Sequence, residues 1–279
     1  DTAALQACMD AVLANGSGSM ILNSVKTYCH SGVLFCDGIP MYGGGSRSGN
    51  DIVGGATLWG TNDSTSNVWI RDGGSAFGII FRNDATTRGA NYEHNKVTIR
   101  GSNITVKNCA VHGAYAAGFM ASAAFNCTVE NVCVLNTNSD SMHNTDACDN
   151  ITYTDCYVEN SGDDCFATIG YGGQGPNTNI TWIRPVCRGG RARAGSVSGG
   201  SYVHFQDVDF EGTEYAGIYI ANETVSYDTE PTDHVTVQGG KVTNCATGNN
   251  GHPSILFFQD TGGSVTTSSV TDLDIYNQG

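Results

Sequence analysis

The feature that most constrains the fold of this 279-residue chain is an internal repeat. Four segments begin with Asn and continue with alternating apolar residues and Thr: residues 103–106, 126–129, 150–153 and 179–182. They recur with a period of roughly 25 residues, and related segments before and after them imply roughly nine units in all. One such unit cannot bury its own apolar face, so neighbouring units must stack and share a core. The chain is therefore expected to be a solenoid.

Each unit contains short runs of β-branched or aromatic residues separated by Gly, Asn, Asp or Ser, which is typical of strands joined by turns. The leucine-spaced consensus of leucine-rich repeats is missing. We therefore predict an all-β fold, a parallel β-helix that forms a single domain over residues 1–279.

The start of the chain has a different pattern, which predicts a helix with Thr2 as its cap and Asn15-Gly16 as its end. Its apolar residues recur at helical spacing: Leu5, Cys8, Met9, Val12 and Leu13. We expect this helix over residues 1–15 to cover the open end of the solenoid and the unpaired edge of the first coil.

Charge and cysteine usage exclude several classes of function. The 13 Lys and Arg residues against 27 Asp and Glu give a net charge of −14, which argues against nucleic-acid or anionic-membrane partners. The 11 cysteines include no C-x-x-C pair and lie singly in apolar runs, which favours buried, mostly reduced thiols over a zinc or redox site. Cys109, Cys133 and Cys156 are predicted to form an inward-facing ladder.

Three aspartates are predicted to form a functional cluster. Asp163 and Asp164 follow an apolar strand, and Asp140 lies one unit of the repeat upstream of Asp163. Stacked coils are about 4.8 Å apart, so the three carboxylates should lie close together. Their repulsion would raise one pKa and allow an acid and a base to coexist near neutral pH. A solvent-exposed turn would explain the Asp163-Asp164 dipeptide by itself, but not why Asp140 lies one coil away from it.

These residues also carry a family resemblance. Residues 138–142 and 162–167 resemble the Asn-Thr-Asp and Asp-Asp-Cys motifs of polygalacturonase-like glycoside hydrolases, which are right-handed single-stranded parallel β-helices of the pectate-lyase-like superfamily. Residues 1–7 resemble a start shared by that superfamily, including many bacteriophage tailspikes. The resemblance implies that Asp163 is the general acid and that Asp140 and Asp164 activate water, with inversion.

The sequence departs from that family in its basic residues. Arg191 stands where the family has the His of Gly-His-Gly, and residues 217–221 lack both cations of its Arg-Ile-Lys motif. Four arginines instead gather within ten residues: Arg184, Arg188, Arg191 and Arg193. Since Arg suits bidentate capture of a carboxylate, we predict an acidic or amino-uronic sugar held by Arg188, Arg191 and Arg193. The alternative is that these arginines only neutralise the aspartates.

Two further residues are candidates for substrate binding. His143 is close enough in sequence to Asp140 to reach the cleft, although a lone His on a strand is more often a packed or surface residue. Tyr219 could stack on a sugar ring or belong to the aromatic core. Trp182 is assigned to the core.

We therefore predict a polysaccharide depolymerase that acts by hydrolysis without a cofactor or metal. One alternative is a polysaccharide lyase, in which an Arg is the base and aspartates bind Ca²⁺ or neutralise the uronate carboxylate. The other is a non-catalytic carbohydrate-binding adhesin. The expected location is extracellular, as a secreted enzyme or as part of a virion tail, and the tailspike resemblance implies a homotrimer.

Overall fold

The structure, a computed structural model, describes residues 1–89, 94–249 and 251–277. Within these ranges the chain forms one helix, α1 (Thr2–Ala14), and 29 strands. All strands but two pair in parallel as successive coils, so the predicted parallel β-helix is confirmed. Some long strands bend and take part in two of its three faces.

The first face, sheet one, carries the residues of the candidate site. It contains β3 (Leu34–Asp37), β8 (Val68–Arg71), β11 (Val97–Ser102), the first part of β14 (Phe119–Glu130), β16 (Met142–Thr145), β19 (Phe166–Ile169), β22 (Gly195–Ser198), β24 (Ile218–Asn222) and β26 (Ile255–Gln259).

The second face, sheet two, contains β1 (Met20–Ile21), β4 (Pro40–Tyr42), β9 (Ser75–Phe77), β12 (Thr105–Lys107), the rest of β14, β17 (Asp149–Thr154), β20 (Asn177–Ile183), the first part of β23 (Gly200–Thr213), the first part of β25 (Thr232–Thr243), β27 (Val265–Thr266) and β28 (Ser269–Thr271).

The third face, sheet three, contains β2 (Thr27–His30), β7 (Ala56–Gly60), β10 (Ile79–Asn83), β13 (Ala110–Ala114), β15 (Cys133–Thr137), β18 (Tyr157–Ser161), β21 (Val186–Gly190), the ends of β23 and β25, and β29 (Asp274–Tyr276). The remaining two strands, β5 (Ser46–Ser48) and β6 (Asp51–Val53), form an antiparallel hairpin.

The repeat seen in the sequence sets the register of sheet two. Thr105, Thr128, Thr152 and Thr181 pair in that order from coil to coil. The leading Asn of each segment has a φ between 53° and 60°, a left-handed conformation that Asn tolerates better than most residues. Asn thus recurs because the chain makes the same bend into the sheet in each coil.

One continuous apolar core runs through the coils from Leu5 to Cys245. Trp182 is fully buried in it and stacks on Tyr153 with ring centroids 3.8 Å apart, as its assignment to the core predicted. Cysteines line this core, but they are not all thiols, because Cys165 and Cys187 in adjacent coils form a disulfide. The other nine are free, and seven of those are buried.

The predicted cysteine ladder is wrong at Cys133. Cys109 and Cys156 lie in the inner core, but Cys133 packs outside the coil with Ala110 and Tyr157 beneath Ile52 of the β5–β6 hairpin. Cys133 lies one position further from its repeat's Asn than the other two do, and a shift of one residue in a strand moves a side chain to the opposite face. Val132 takes the inner position.

Helix α1 covers the first coil as predicted, although its cap differs. Leu5 and Met9 are buried, and Gln6 closes the edge of β3 by accepting from the Phe35 backbone N–H at 2.8 Å and donating to its carbonyl at 3.0 Å. Asp1, not Thr2, is the N-cap residue; the Thr2 hydroxyl instead accepts from the Ser31 backbone N–H. None of the described helical residues forms a segment long and apolar enough to cross a membrane.

Candidate active site

Asp140, Asp164 and Arg193 occupy equivalent positions in three successive coils. Met142, Phe166 and Gly195 pair in sheet one, and each of the three residues precedes its strand by two positions. The backbone ladder continues through this turn, since the Ser141 N–H donates to the Asp164 carbonyl at 2.9 Å. Asp140 therefore aligns with Asp164, 24 positions later in the chain, rather than with Asp163.

Gly162 allows the two aspartates that follow it to turn toward the preceding coil. A β-carbon on Gly162 would lie 2.4 Å from the carbonyl carbon of Asn138, which no side chain tolerates. The Gly-Asp-Asp sequence thus places Asp163 and Asp164 against the turn that carries Asp140.

Asp164 is a buried carboxylate, 4% exposed, and both of its oxygens accept hydrogen bonds. Its Oδ1 accepts from the Arg193 backbone N–H at 2.9 Å, and its Oδ2 accepts from the Ser196 hydroxyl at 2.6 Å. The Arg193 guanidinium lies 3.3 Å from Oδ2. These contacts hold the Asp164 carboxylate in a single orientation against the following coil.

Asp140 is held from two sides. Its Oδ1 accepts from the Asp164 backbone N–H at 3.0 Å, and its Oδ2 accepts from His143 Nδ1 at 2.7 Å. His143 is 5% exposed, and its Nε2 has no hydrogen-bond partner among the described residues. Burial alone would lower the pKa of His143, but the hydrogen bond to Asp140 and the charges of the three aspartates raise it. His143 therefore holds Asp140 in place.

Asp163 is the most accessible member of the cluster, with 28% of its side chain exposed. Burial and the neighbouring charge of Asp164 raise its pKa, and an ion pair with Arg88 opposes that rise. Arg88 Nη1 lies 2.6 Å from Asp163 Oδ2. The surroundings of Asp163 thus favour the protonated form of its carboxyl.

Arg193 is enclosed by the site rather than offered to a ligand. Its guanidinium lies 4.4 Å from the centroid of the Tyr219 ring and 4.0 Å from Glu223, as well as contacting Asp164. Burial would lower the pKa of Arg193, but the charges of Asp164 and Glu223 raise it. Tyr219 is 4% exposed, so Arg193 covers the ring that was a candidate for sugar stacking.

The remaining arginines of the cluster are distributed over different surfaces. Arg188 pairs with Asp209 at 2.7 Å on sheet three, and Arg184 pairs with Asp155 at 2.7 Å. Neither lines the cleft. Arg191 is exposed beside Asp163 and makes no side-chain ion pair with the described residues. Of the four arginines, Arg193 alone pairs with an aspartate of the cluster, Arg184 and Arg188 pair with acidic residues elsewhere, and Arg191 is the one left available for a ligand.

A cleft crosses the aspartate cluster along the axis of the β-helix. On the side of the earlier coils is a cavity of about 580 Å³ lined by Asp140, His143, Tyr171 and Asp146. On the other side is one of about 350 Å³ lined by Asp163, Arg191, Arg193, Tyr215 and Tyr227. Arg88 lines both.

The three aspartates could hold a divalent cation by proximity, since one oxygen of each lies within 4.8 Å of the others. Carboxylate oxygens are the ligands that Ca²⁺ prefers. Here, however, the guanidinium groups of Arg88 and Arg193 already neutralise Asp163 and Asp164, and a cation would have to displace or repel them. The arrangement fits acid–base chemistry better than metal binding.

Sequence reasoning missed several residues of the cleft. Arg88 comes from a loop outside the repeat, and Glu223 and Tyr227 come from the loop between β24 and β25. Nothing in the composition of that loop marks Glu223 as a residue of the site. A search for charged residues in loops flanking the predicted aspartate coils would have found both Arg88 and Glu223.

The fold and this cleft together define a class: a parallel β-helix with an aspartate cluster on its outer surface, as predicted from the motifs. No protein-family model matches the chain, and no curated protein matches it by sequence. Among solved structures the chain is similar to the endo-xylogalacturonan hydrolase from Aspergillus tubingensis, at 14% identity over 99% of this chain and 91% of that one, with a TM-score of 0.59.

Two further solved structures are similar. The catalytic domain of a GH87 α-1,3-glucanase is 19% identical over 86% of this chain, with a TM-score of 0.58. The enzymatically active domain of tailspike protein 2 of bacteriophage CBA120 is 12% identical over 98% of this chain, with a TM-score of 0.55. The chain covers 44% of the glucanase and 40% of the tailspike chain. At these identities the likeness shows a shared parallel β-helix fold.

Proposed function

We propose that this protein is a polysaccharide depolymerase that hydrolyses glycosidic bonds of an acidic polysaccharide, with Asp163 as the general acid. The observation that carries the proposal is the contrast between Asp163 and its neighbours: a partly exposed carboxyl with a raised pKa beside two carboxylates that the protein holds by hydrogen bonds at both oxygens. The similar folds of a glucanase and a xylogalacturonan hydrolase support a glycosidase.

Water activation is assigned to Asp140 and Asp164. One oxygen of each aspartate lies within 4.8 Å of the others, closer than the roughly 6.5–9.5 Å between carboxyl groups that is usual for inverting enzymes. A retaining enzyme, however, needs a carboxylate oxygen free to attack the sugar. Both oxygens of Asp164 and both of Asp140 accept hydrogen bonds from the protein, which hold these carboxylates in place. Each oxygen keeps a second lone pair that can accept from a water molecule. We therefore favour direct attack by water, with inversion at the anomeric carbon.

An acidic substrate is inferred from the charges beside Asp163. The 350 Å³ cavity is lined by three arginines and a single carboxylate, in a chain whose net charge is −14. A polyanion approaching such a protein would be repelled except where cations gather. Arg191, exposed and without an ion pair to any described residue, is the one that we assign to a sugar carboxylate; Arg188, on sheet three, faces away from this cleft.

A protein that acts on polysaccharides of this kind works outside the cell, and we propose that it is a secreted enzyme or part of a virion tail. The likeness to a tailspike domain is the support for the second setting. That setting implies a homotrimer, which light scattering on the purified protein would detect as three times the monomer mass.

The test is incubation with pectins, xylogalacturonan, α-1,3-glucan and acidic bacterial polysaccharides, with products identified by mass spectrometry. Hydrolysis adds one water per cut, whereas a lyase leaves unsaturated ends that absorb in the ultraviolet. Proton NMR of the first products gives the anomeric configuration and so tests inversion. Binding without cleavage, unchanged by Asp163→Asn, would instead identify an adhesin.

A further inference from the structure

The ion pair between Arg88 and Asp163 conflicts with the role proposed for Asp163. A general acid must carry a proton when the glycosidic bond breaks. A guanidinium 2.6 Å away favours the ionised form and opposes protonation. If Asp163 is the acid, Arg88 must leave it before or during catalysis.

Arg88 is placed to leave, in contrast to the other arginine of the cluster. Its side chain is 53% exposed and contacts the outermost carboxyl oxygen of the site. Arg193 is 20% exposed and is held by Asp164, by the ring of Tyr219 and by Glu223. Displacing Arg88 therefore breaks an exposed contact, whereas displacing Arg193 would leave buried carboxylates without a counter-charge.

Arg88 also lies where a bound glycan must pass. It belongs to the segment between β10 and β11 but reaches across the cleft to a residue 75 positions later in the chain. It lines the cavities on both sides of the aspartate cluster. A sugar that spans the two cavities must therefore contact the guanidinium of Arg88.

We propose that Arg88 is the receptor for the carboxylate of the sugar at the cleavage point, and that this carboxylate takes Arg88 away from Asp163. The inference rests on the proposed hydrolase function and names the acidic group that the enzyme requires. One carboxylate replaces another on the guanidinium, and Asp163 takes up a proton from solvent. A neutral sugar offers Arg88 no such exchange, so the acid stays ionised and the substrate is rejected.

The proton affinity of Asp163 depends on all groups that face it. These are Asp164 on its own coil, Asp140 and His143 on the preceding coil, Arg191, Arg193 and Tyr215 on the following coil, and Tyr171, Glu223, Tyr227 and Arg88 from the loops. Among them Arg88 makes the direct contact with the Asp163 carboxylate. Its removal is expected to raise the pKa of Asp163, because a cation in contact favours the ionised carboxylate.

The experiment measures the titration of Asp163 directly by NMR of aspartate-labelled protein, which needs no turnover. Arg88→Gln should raise the pKa of Asp163, and the matched control Arg82→Gln, whose surface arginine pairs with Asp84, should not. Adding sodium D-glucuronate or D-galacturonate to the wild type should raise the same pKa, while glucose and galactose at equal ionic strength should not. In Arg88→Gln the uronates should have little further effect.

An unchanged Asp163 titration in Arg88→Gln would overturn the proposal, and so would a wild-type titration that neither uronate moves. A failed hydrolysis panel with the expected titrations would refute the hydrolase function but leave the ion-pair exchange standing. Where a polysaccharide is cleaved, kinetics add a second reading. The pH at which kcat/KM falls on the alkaline side reports the free enzyme, and the pH at which kcat falls reports the enzyme with substrate bound. In the wild type and in Arg82→Gln the first pH should be lower than the second. In Arg88→Gln the two should coincide.

Discussion

Among the described residues, buried and partly buried charged side chains gather in two places, and the two are built in opposite ways. In the cleft, Asp140, Asp163 and Asp164 lie among cationic partners and open onto cavities. Near the first coils, Lys96 is 2% exposed with its Nζ 3.1 Å from Nε2 of buried His30, and it has no ion pair to a described carboxylate. The first arrangement surrounds its charges with partners of opposite sign, whereas the second places two basic groups together without one.

This difference in charge partners distinguishes the aspartate cluster, a candidate site, from Lys96 and His30, which belong to the interior of the fold. Burial lowers the pKa of Lys96 to about 7, and burial together with the charge of Lys96 lowers that of His30 to about 4. Lys96 donates to the Ser66 carbonyl at 2.9 Å in a closed interior. A buried charge kept at neutral pH by partners, beside open space, indicates chemistry. Lys96 and His30 lie in a closed interior, and their lowered pKa values make the stability of the fold depend on pH.

The largest effect is expected from Asp163→Asn, which removes the proton donor and keeps the shape of the side chain. Loss of a general acid lowers kcat by about 10²- to 10⁴-fold. Because the wild-type Asp163 has a raised pKa, activity should fall as pH rises through that pKa, and the variant should lose this alkaline limb. Initial rates on a cleaved polysaccharide from pH 4 to 9 measure both.

Asp146→Asn is the matched control for that variant. Asp146 lines the cavity beside Asp140 and accepts from the Ser122 hydroxyl, but it lies outside the aspartate cluster. Its replacement should leave kcat within a few-fold of the wild type. Equal losses in the two variants would contradict the assignment of Asp163.

The next largest effect is expected on folding, from Arg193→Met. This substitution leaves buried Asp164 and Glu223 without their counter-charge, which costs about 3–5 kcal/mol. The deficit should shrink as pH falls, because the uncompensated carboxyls then take up protons. Urea unfolding at pH 7 and pH 4 measures the free energy of unfolding. The control is Arg188→Met, whose pair with Asp209 is about 30% exposed, and its cost should stay below about 1 kcal/mol. Equal costs in the two variants would contradict the view that Arg193 neutralises buried carboxylates.

Lys96→Met tests whether burial lowers the pKa of Lys96 beside His30. Between the pKa of about 7 in the folded state and the ordinary 10.5 in the unfolded state, the unfolded chain binds more protons, so stability rises with pH. For one lysine this amounts to about 2 kcal/mol between pH 7 and pH 9. Lys96→Met should remove that slope and be more stable than the wild type at pH 7. An unchanged slope would mean that Lys96 keeps its proton inside the fold.

The features that could be predicted from the sequence are the fold and the coil on which each site residue lies, because both depend on the repeat. Asp140 and the Asp163-Asp164 pair were placed one coil apart by spacing, and the arginines one coil further, because stacked coils turn sequence distance into spatial distance. What spacing does not reveal is the direction of each side chain. Arg191 and Arg193, two positions apart, are respectively exposed and enclosed. Lys96 is buried because its coil leaves space for the side chain beside Gly60.

The smallest effect is expected from Arg191→Ala, which removes the exposed cation of the cleft. A single exposed ion pair is worth up to about 1 kcal/mol, so KM for an acidic polysaccharide should rise by about five-fold or less, with kcat and the melting temperature unchanged. The rise should fade with added salt, because an exposed charge is screened. Arg184→Ala, which removes a surface arginine paired with Asp155 away from the cleft, should leave KM unchanged. A rise in KM that salt does not reduce would mean that Arg191 binds by shape rather than by charge, and the acidic substrate would then depend on Arg88 alone.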